Sequence, residues 1–296
     1  MSDPSPDPSK ALPPVVAPSG RYIAQMFLVP GLIVAGAVVL LLGFSWLAGG
    51  VKSRDKFLAD LASPNPDIRW RTASDLAQVL TRDPDLASDP VFGLRLADLL
   101  RQALGDLEKA EAAAAVAGLE GDAATRKDRQ DAEARRAAVQ YLAACVGNLM
   151  TPVGAPVLGE LAKKSPSRDP KTDALLRRQA VWALAALGSN LRKYAALPEA
   201  RQKEIVAEIE AAADKPEYGA AARQSADFLT KRAAFPPIAA LLACSEADDP
   251  FLRKQTALAL GFWDATAEEN KQIDAALMRL ARDDGHGTSI EVQKGD

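Results

Sequence analysis

The sequence predicts an all-α protein, an α-solenoid of about five helix pairs preceded by a single transmembrane helix. Three observations carry this prediction. Aromatic residues make up only 5% of the 296 residues, whereas Ala and Leu recur throughout, which suits closely packed helices better than strands. A ten-residue pattern recurs four times, and residues 22–51 contain no charged side chain.

The first 51 residues divide into a polar tail and an apolar run. Residues 1–21 place prolines among Ser, Asp and Ala, and such a segment buries too little apolar surface to offset its chain entropy. We expect this tail to be disordered. Residues 22–51 exceed the ~20 residues that cross a bilayer. Tyr22 and Trp46 stand near the two ends of the run, where amphipathic rings favour the headgroup region.

The run is therefore predicted to be a single-pass anchor that contacts the lipid bilayer through residues 22–51. A cleaved signal peptide is the alternative, but its apolar core is usually about 7–15 residues long and follows a basic start. The basic residues Lys52, Arg54 and Lys56 follow the run, against Lys10 and Arg21 before it. The positive-inside rule then favours a cytoplasmic carboxyl-terminal domain.

The recurring pattern has the same types of residue at the same positions in each copy. Counted from an arginine, an apolar residue stands one position before, a small residue three after and a leucine seven after. The step from the apolar residue to the small residue and the step from the small residue to the leucine are both four positions, close to one helical turn, so these three positions share one helix face. The arginines are Arg69, Arg135, Arg177 and Arg253, and the leucines are Leu76, Leu142, Leu184 and Leu260.

A residue that favours helix amino termini stands four positions before each arginine. The four predicted caps are Asn65, Asp131, Asp173 and Asp249. Two of them are followed by proline, Pro66 and Pro250, which fits the first position of a helix. Shorter amphipathic segments beginning near residues 57, 157 and 238 precede three of the copies, so the predicted unit is helix, turn, capped helix.

The spacing of the copies predicts the organisation of residues 52–282. The third and fourth arginines are 76 residues apart (253 − 177), about twice a repeat of ~40 residues, so a degenerate pair is expected at residues 199–229. The wider first gap is assigned to an insertion at about residues 107–130, comprising an extended helix and a polar loop. After a last helix, residues 283–296 are predicted to be a polar carboxyl-terminal tail.

These residues resemble the HEAT repeat, particularly the bacterial form shared with phycobilisome-lyase-type repeat proteins. The resemblance covers about residues 55–282 and implies stacked antiparallel helix pairs with a surface that binds proteins. The first copy departs from the family pattern, with Asn65 in place of the acidic cap and Trp70 after Arg69, and no copy has valine directly before the arginine.

The repeated arginines are predicted to be structural, each bridging to the acidic turn of a neighbouring repeat and fixing the stacking angle. An anion-binding ladder is the alternative. The predicted repeat-stacking residues are Asn65, Arg69, Asp131, Arg135, Asp173, Arg177, Asp249 and Arg253. Trp70 and Trp182 lie off the leucine face, so they are candidates for partner contact, with packing against the adjacent repeat as the alternative.

The sequence offers no catalytic residues, cofactor site or metal site. His286, the one histidine, lies in the polar tail without a second His or a Cys nearby. Cys145 and Cys244 fall in Ala/Leu-rich segments and are expected to be buried free thiols. No phosphate loop or nucleophile elbow is present, and no small-molecule substrate is evident.

The predicted function is that of a membrane-anchored scaffold or adaptor, not an enzyme, which binds a protein partner through the solenoid. The alternative is a non-hydrolytic lyase or chaperone like the phycobilisome-lyase relatives, which needs a chromophore-sized pocket. A nucleic-acid reader is disfavoured, because the net charge is −3 and the basic residues at 126–129 and 135–136 lie among acids.

Overall fold

The structure is a computed structural model, and it describes residues 21, 28–40, 53–117, 122–167, 169–231, 233–263 and 265–283. Within these ranges every regular element is helical and there is no strand, so the all-α prediction is confirmed. The predicted proline-rich tail, the ends of the predicted membrane span and nearly all of the polar carboxyl-terminal tail, including His286, lie outside the described residues.

The chain divides into two compact units, Met1–Lys52 and Ser53–Asp296. In the first unit the structure describes a helix over residues 28–40, whose side chains are exposed. Among the described residues, no helix has both the length and the apolar character required to cross a membrane.

The second unit is a succession of helices joined by short turns. A short 3-10 helix, Pro152–Gly154, precedes the α-helix that begins at Ala155. The α-helices are α1 (Arg54–Leu61), α2 (Pro66–Arg82), α3 (Pro84–Ser88), α4 (Pro90–Ala117), α5 (Asp122–Gly147), α6 (Ala155–Lys163), α7 (Pro170–Ala195), α8 (Glu199–Ala212), α9 (Gly219–Lys231), α10 (Pro236–Cys244), α11 (Pro250–Leu260) and α12 (Ala267–Asp283).

Two of the four predicted caps begin helices as expected. Asn65 Oδ1 accepts a hydrogen bond from Asp67 N at 2.9 Å at the start of α2, and Asp249 Oδ1 accepts one from Phe251 N at 3.0 Å at the start of α11. Each cap is followed by proline, whose missing N–H costs nothing at the first helical position. The combination of an Asx cap and a proline therefore marks both helix starts.

The other two predicted caps are corrected by the structure. Helix α7 begins four residues before the expected position, because Asp169 is its cap, accepts a hydrogen bond from Thr172 N at 3.0 Å and precedes Pro170. Asp173 lies in the first turn of the helix, where its Oδ1 accepts from Ser165 N at 3.3 Å. Asp131 lies inside α5, because the predicted insertion extends that helix back to Asp122.

Four helix pairs stack in a way that is compatible with an α-solenoid. The pairs are α1/α2, α4/α5, α6/α7 and α10/α11, and their second helices lie side by side in the order α2, α5, α7, α11. The leucines seven residues after each repeat arginine fill the layers between them and are at most 1% exposed: Leu76, Leu142, Leu184 and Leu260. The leucine face predicted from the pattern is the core of this stack.

The predicted degenerate pair forms a hairpin, α8 with α9, but does not lie between the third and the last pair. Instead α6 packs directly on α10 and α7 directly on α11, while α8 contacts α4 and α9 contacts the 3-10 helix. The fully buried residues of α9 are all small, Gly219, Ala221, Ala222, Ser225 and Ala226, whereas Phe228 and Leu229 are half-buried against the core. Leu229 stands six positions after Arg223 instead of seven, so the hairpin lacks the fully buried leucine of the other pairs and has less apolar surface to bury in a stacked layer.

Both cysteines are buried free thiols, as predicted, and each lies at a contact between neighbouring pairs. Cys145 Sγ, in α5, donates to the carbonyl oxygen of Ala73 in α2 at 3.0 Å, and Cys244 Sγ, in α10, donates to that of Ala162 in α6 at 3.2 Å. Burial raises the pKa of both thiols. These cysteines therefore pack as small core residues in their neutral form.

We predict that Gly147→Ala destabilises the stack. A Cβ atom at Gly147 would lie 2.9 Å from the Cα and carbonyl oxygen of Ala183 in α7, so α5 and α7 would have to separate. Overpacking of this kind costs about 1–3 kcal/mol. Urea unfolding of the full chain, followed by far-ultraviolet circular dichroism, measures the change.

Gly105→Ala is the matched control. A Cβ at Gly105, inside α4, meets nothing within 4 Å, so this variant should gain about 0.5–1 kcal/mol from the better helix propensity of alanine. Equal effects of the two substitutions would contradict the close approach of α5 to α7.

Candidate binding surface

The four repeat arginines fall into two groups. Arg177 Nε donates to the carbonyl oxygen of Ala162 at 3.0 Å, and Arg253 Nη1 donates to the carbonyl oxygens of Ala247 at 2.8 Å and Asp248 at 3.0 Å. These acceptors belong to the first helix or the turn of the arginine's own pair. These hydrogen bonds therefore join the second helix to the first helix or the turn of the same pair, whereas the sequence predicted a bridge to a neighbouring pair.

Arg69 and Arg135 form the second group, and both approach one carboxylate. Asp106 Oδ2, on α4, lies 3.2 Å from Arg69 Nη1 and 3.6 Å from Arg135 Nη1. Because Arg69 is on α2 and Asp106 belongs to the next pair, this contact is a bridge between neighbouring pairs. The acceptor lies within helix α4, however, and not in an acidic turn as the sequence predicted, and Arg135 reaches it from the same pair.

The bridge from the third pair to the last is made by the residue that follows the repeat arginine. Arg178 Nε donates to Asp249 Oδ2 at 2.6 Å and Arg178 Nη2 to Asp249 Oδ1 at 2.8 Å, a bidentate pair between α7 and the cap of α11. Hydrogen bonding from Arg178 lowers the pKa of Asp249, and the same bond raises the pKa of Arg178. One carboxylate thus caps α11 and joins it to α7.

An equivalent contact joins the second and third pairs. Arg136, also directly after a repeat arginine, lies 3.3 Å from Glu111 Oε1, which accepts a hydrogen bond from Ser167 Oγ at 3.0 Å. Ser167 is in the turn before α7. The sequence analysis missed this role, although the signal was present: a second basic residue follows three of the four arginines, namely Arg136, Arg178 and Lys254.

Large apolar side chains are exposed on the outer faces of α7 and α11, and we call them the apolar patch: Leu175, Trp182, Phe251 and Leu258. Trp182 is 55% exposed and the other three are about half exposed. On each helix the two residues are seven positions apart, about two turns, so they share one face. Helices α7 and α11 pack side by side, and Arg178, which stands between Leu175 and Trp182 on α7, has its guanidinium carbon 4.9 Å from the centre of the Phe251 ring. The apolar patch therefore spans two neighbouring helices.

Trp70, the other tryptophan predicted for partner contact, has a different environment. Its ring is half-buried and stacks on Tyr141 of α5, with centroids 6.1 Å apart, while its Nε1 donates to Asp67 at 3.3 Å. Trp70 therefore packs partly against the adjacent pair. Of the two candidates, Trp182 is the one with an open ring.

A cavity of about 480 Å³ lies where the α8–α9 hairpin leaves the stack, and its walls include Tyr194, Phe228 and Trp263. Two of its polar groups already have partners: Gln202 Nε2 donates to the carbonyl oxygen of Leu197 at 2.8 Å, and Trp263 Nε1 donates to that of Leu184 at 3.2 Å. Within the described part of the chain, no three His, Cys, Asp or Glu side chains are grouped so that they could hold a metal ion.

Comparison with known proteins adds no relative: no protein-family model matches the chain, and neither a curated protein nor a solved structure matches it significantly. The likeness to the HEAT repeat therefore rests on the repeated residues alone.

We predict that Arg178 and Asp249 are energetically coupled. The variants Arg178→Gln and Asp249→Asn and the double variant form a thermodynamic cycle, in which asparagine keeps the capping acceptor while it removes the charge. Because Arg178 is 37% exposed, solvent screening limits the expected coupling to about 1 kcal/mol. Urea unfolding of the four proteins measures it.

The coupling should also depend on pH. The pKa of Asp249 is lowered in the folded protein. The contribution of its ionised form to the free energy of unfolding is therefore complete above the unfolded pKa of about 3.9 and is lost as the pH falls through the lower folded pKa. Additive effects of the two substitutions at neutral pH would show that the bond does not hold α7 to α11.

Proposed function

We propose that this chain is a membrane-anchored scaffold of the HEAT type, whose stacked pairs bind a protein partner through the apolar patch on α7 and α11. The observation that carries the proposal is the exposed ring of Trp182, on one of two adjacent helices that carry three more exposed apolar side chains. Single exposed apolar residues are ordinary on proteins, but a contiguous group is typical of an interaction surface.

The geometry of the patch suits a protein partner. Tryptophan is among the residues that contribute most to interface energies, because its large ring fills a pocket at a small entropic cost. The patch stands on helices whose relative position is fixed by the Arg178–Asp249 pair and by the leucine layers between them. A preorganised surface loses little conformational freedom on binding, which favours affinity.

The membrane part of the proposal comes from the sequence. Residues 22–51 carry no charge over a length that exceeds the thickness of a bilayer core, and the basic residues that follow favour a cytoplasmic carboxyl-terminal domain. A tether of this kind raises the local concentration of the stacked pairs for a partner that is also at the membrane.

A lyase or chaperone is the second candidate, and the cavity near Trp263 favours it. At about 480 Å³ the cavity is within the usual size range of small-molecule sites. It takes second place because Gln202 and Trp263 already bond to backbone carbonyls, which leaves these donors engaged within the protein.

We predict that a photo-crosslinking amino acid at position 182 captures a specific protein in cells. The matched control is the same amino acid at position 203 on α8, where Lys203 is also exposed but lies outside the patch. Leu258→Asp, which places a charge in the patch, should abolish the adduct at 182 while the melting temperature stays unchanged, since Leu258 is half exposed. In the same cells the chain should stay with carbonate-washed membranes.

Two outcomes would count against this function. Equal adducts at positions 182 and 203, or an adduct at 182 that survives Leu258→Asp, would show that the patch is not the binding surface. Release of the chain by carbonate would reject the anchor and leave the scaffold without its proposed location.

A further inference from the structure

The convergence of Arg69 and Arg135 on Asp106 leaves an excess of positive charge. Two guanidinium groups approach one carboxylate oxygen, at 3.2 Å and 3.6 Å. The Arg69 side chain is 11% exposed and that of Arg135 29% exposed, so the first charge is largely and the second partly removed from water. Removing a charge from water is costly unless an opposite charge pairs with it. Here two positive charges share one negative charge.

The surroundings of these arginines differ from those of the other two repeat arginines. The Nε atoms of Arg69 and Arg135 are fully buried and have no hydrogen-bond partner among the described residues. Arg177, at the same position of the pattern, uses its Nε to bond the carbonyl oxygen of Ala162. The same residue in the same register is thus satisfied by the backbone in one pair and incompletely satisfied in the first two.

A pocket opens beside this cluster. Its volume is about 290 Å³, and Arg69, Asp106 and Arg135 lie in its wall. The accessible rest of the wall includes Leu99, Gln102 and the turn between α1 and α2, while Leu61 and Leu142 lie behind it and are almost fully buried. The pocket therefore combines two cationic groups with a small apolar surface at the contact between the first and second pairs.

We propose that this pocket binds a small organic carboxylate with a short apolar group. The carboxylate pairs with the guanidinium groups of Arg69 and Arg135, for which it is the natural bidentate partner, and supplies the second negative charge. The apolar group contacts Leu99 and the turn between α1 and α2, an apolar contact that a hydrated phosphate ion cannot make. This inference is independent of the proposed function, because the pocket lies between α2, α4 and α5 and the apolar patch on α7 and α11.

The test is calorimetric titration of sodium butyrate into the full chain at constant ionic strength. The wild-type protein should bind butyrate saturably, and Arg135→Gln should weaken binding roughly tenfold, since it removes one charge-assisted hydrogen bond. Asp106→Asn should bind several-fold more tightly, because it removes the carboxylate that competes for both guanidinium groups. Arg178→Gln, which removes a similar arginine from another bridge, should leave the affinity unchanged.

Thermal unfolding with and without butyrate separates binding from folding. Asp106→Asn is expected to lower the melting temperature by loss of the bridge, and butyrate should raise it more in this variant than in the wild type. No saturable butyrate binding, weaker binding by Asp106→Asn, or inorganic phosphate that binds as tightly as butyrate would each overturn the proposal.

Discussion

The close approach of α6 to α10 is the constraint on which the rest of the second unit depends. A Cβ atom at Gly159 would lie only 3.2 Å from Pro237 Cα and 3.4 Å from Ala240 Cβ, so the two helices meet at backbone distance. This contact brings α7 beside α11, although about 55 residues separate them in the chain (250 − 195). The apolar patch and the Arg178–Asp249 pair both exist because of it.

The position of the α8–α9 hairpin outside the stack follows from that contact. Since the third pair packs directly on the last, the hairpin has no place in the stack and lies against α4 and the 3-10 helix. Trp263 packs between α7 and the hairpin. Its Nε1 donates to the carbonyl oxygen of Leu184, and its ring packs against Phe228 and Phe235. The cavity near Trp263 marks the place where the hairpin diverges.

The features predicted correctly from the sequence depend on interactions within a few residues, and the missed features depend on contacts between distant parts of the chain. The leucine layers and the caps Asn65 and Asp249 followed from helical period and capping chemistry, which act within a few residues. Equal spacing from the arginine indicated Asp173, whereas the cap is Asp169, which is followed by proline as Asn65 and Asp249 are. The stacking of nonconsecutive pairs has no local signal, although the position of Leu229, six residues after Arg223 instead of seven, was a visible hint.

The most direct test of this arrangement is a disulfide between Gly159→Cys and Ala240→Cys, with the single variants as controls. Direct stacking places the two Cβ atoms within the range of a disulfide, and the bond should form under mild oxidation and be located by peptide mapping. An arrangement with α8–α9 interposed would separate the two positions by two helix spacings, roughly 16–20 Å. A protein that stays reduced at both engineered cysteines, while it remains folded, would contradict the account.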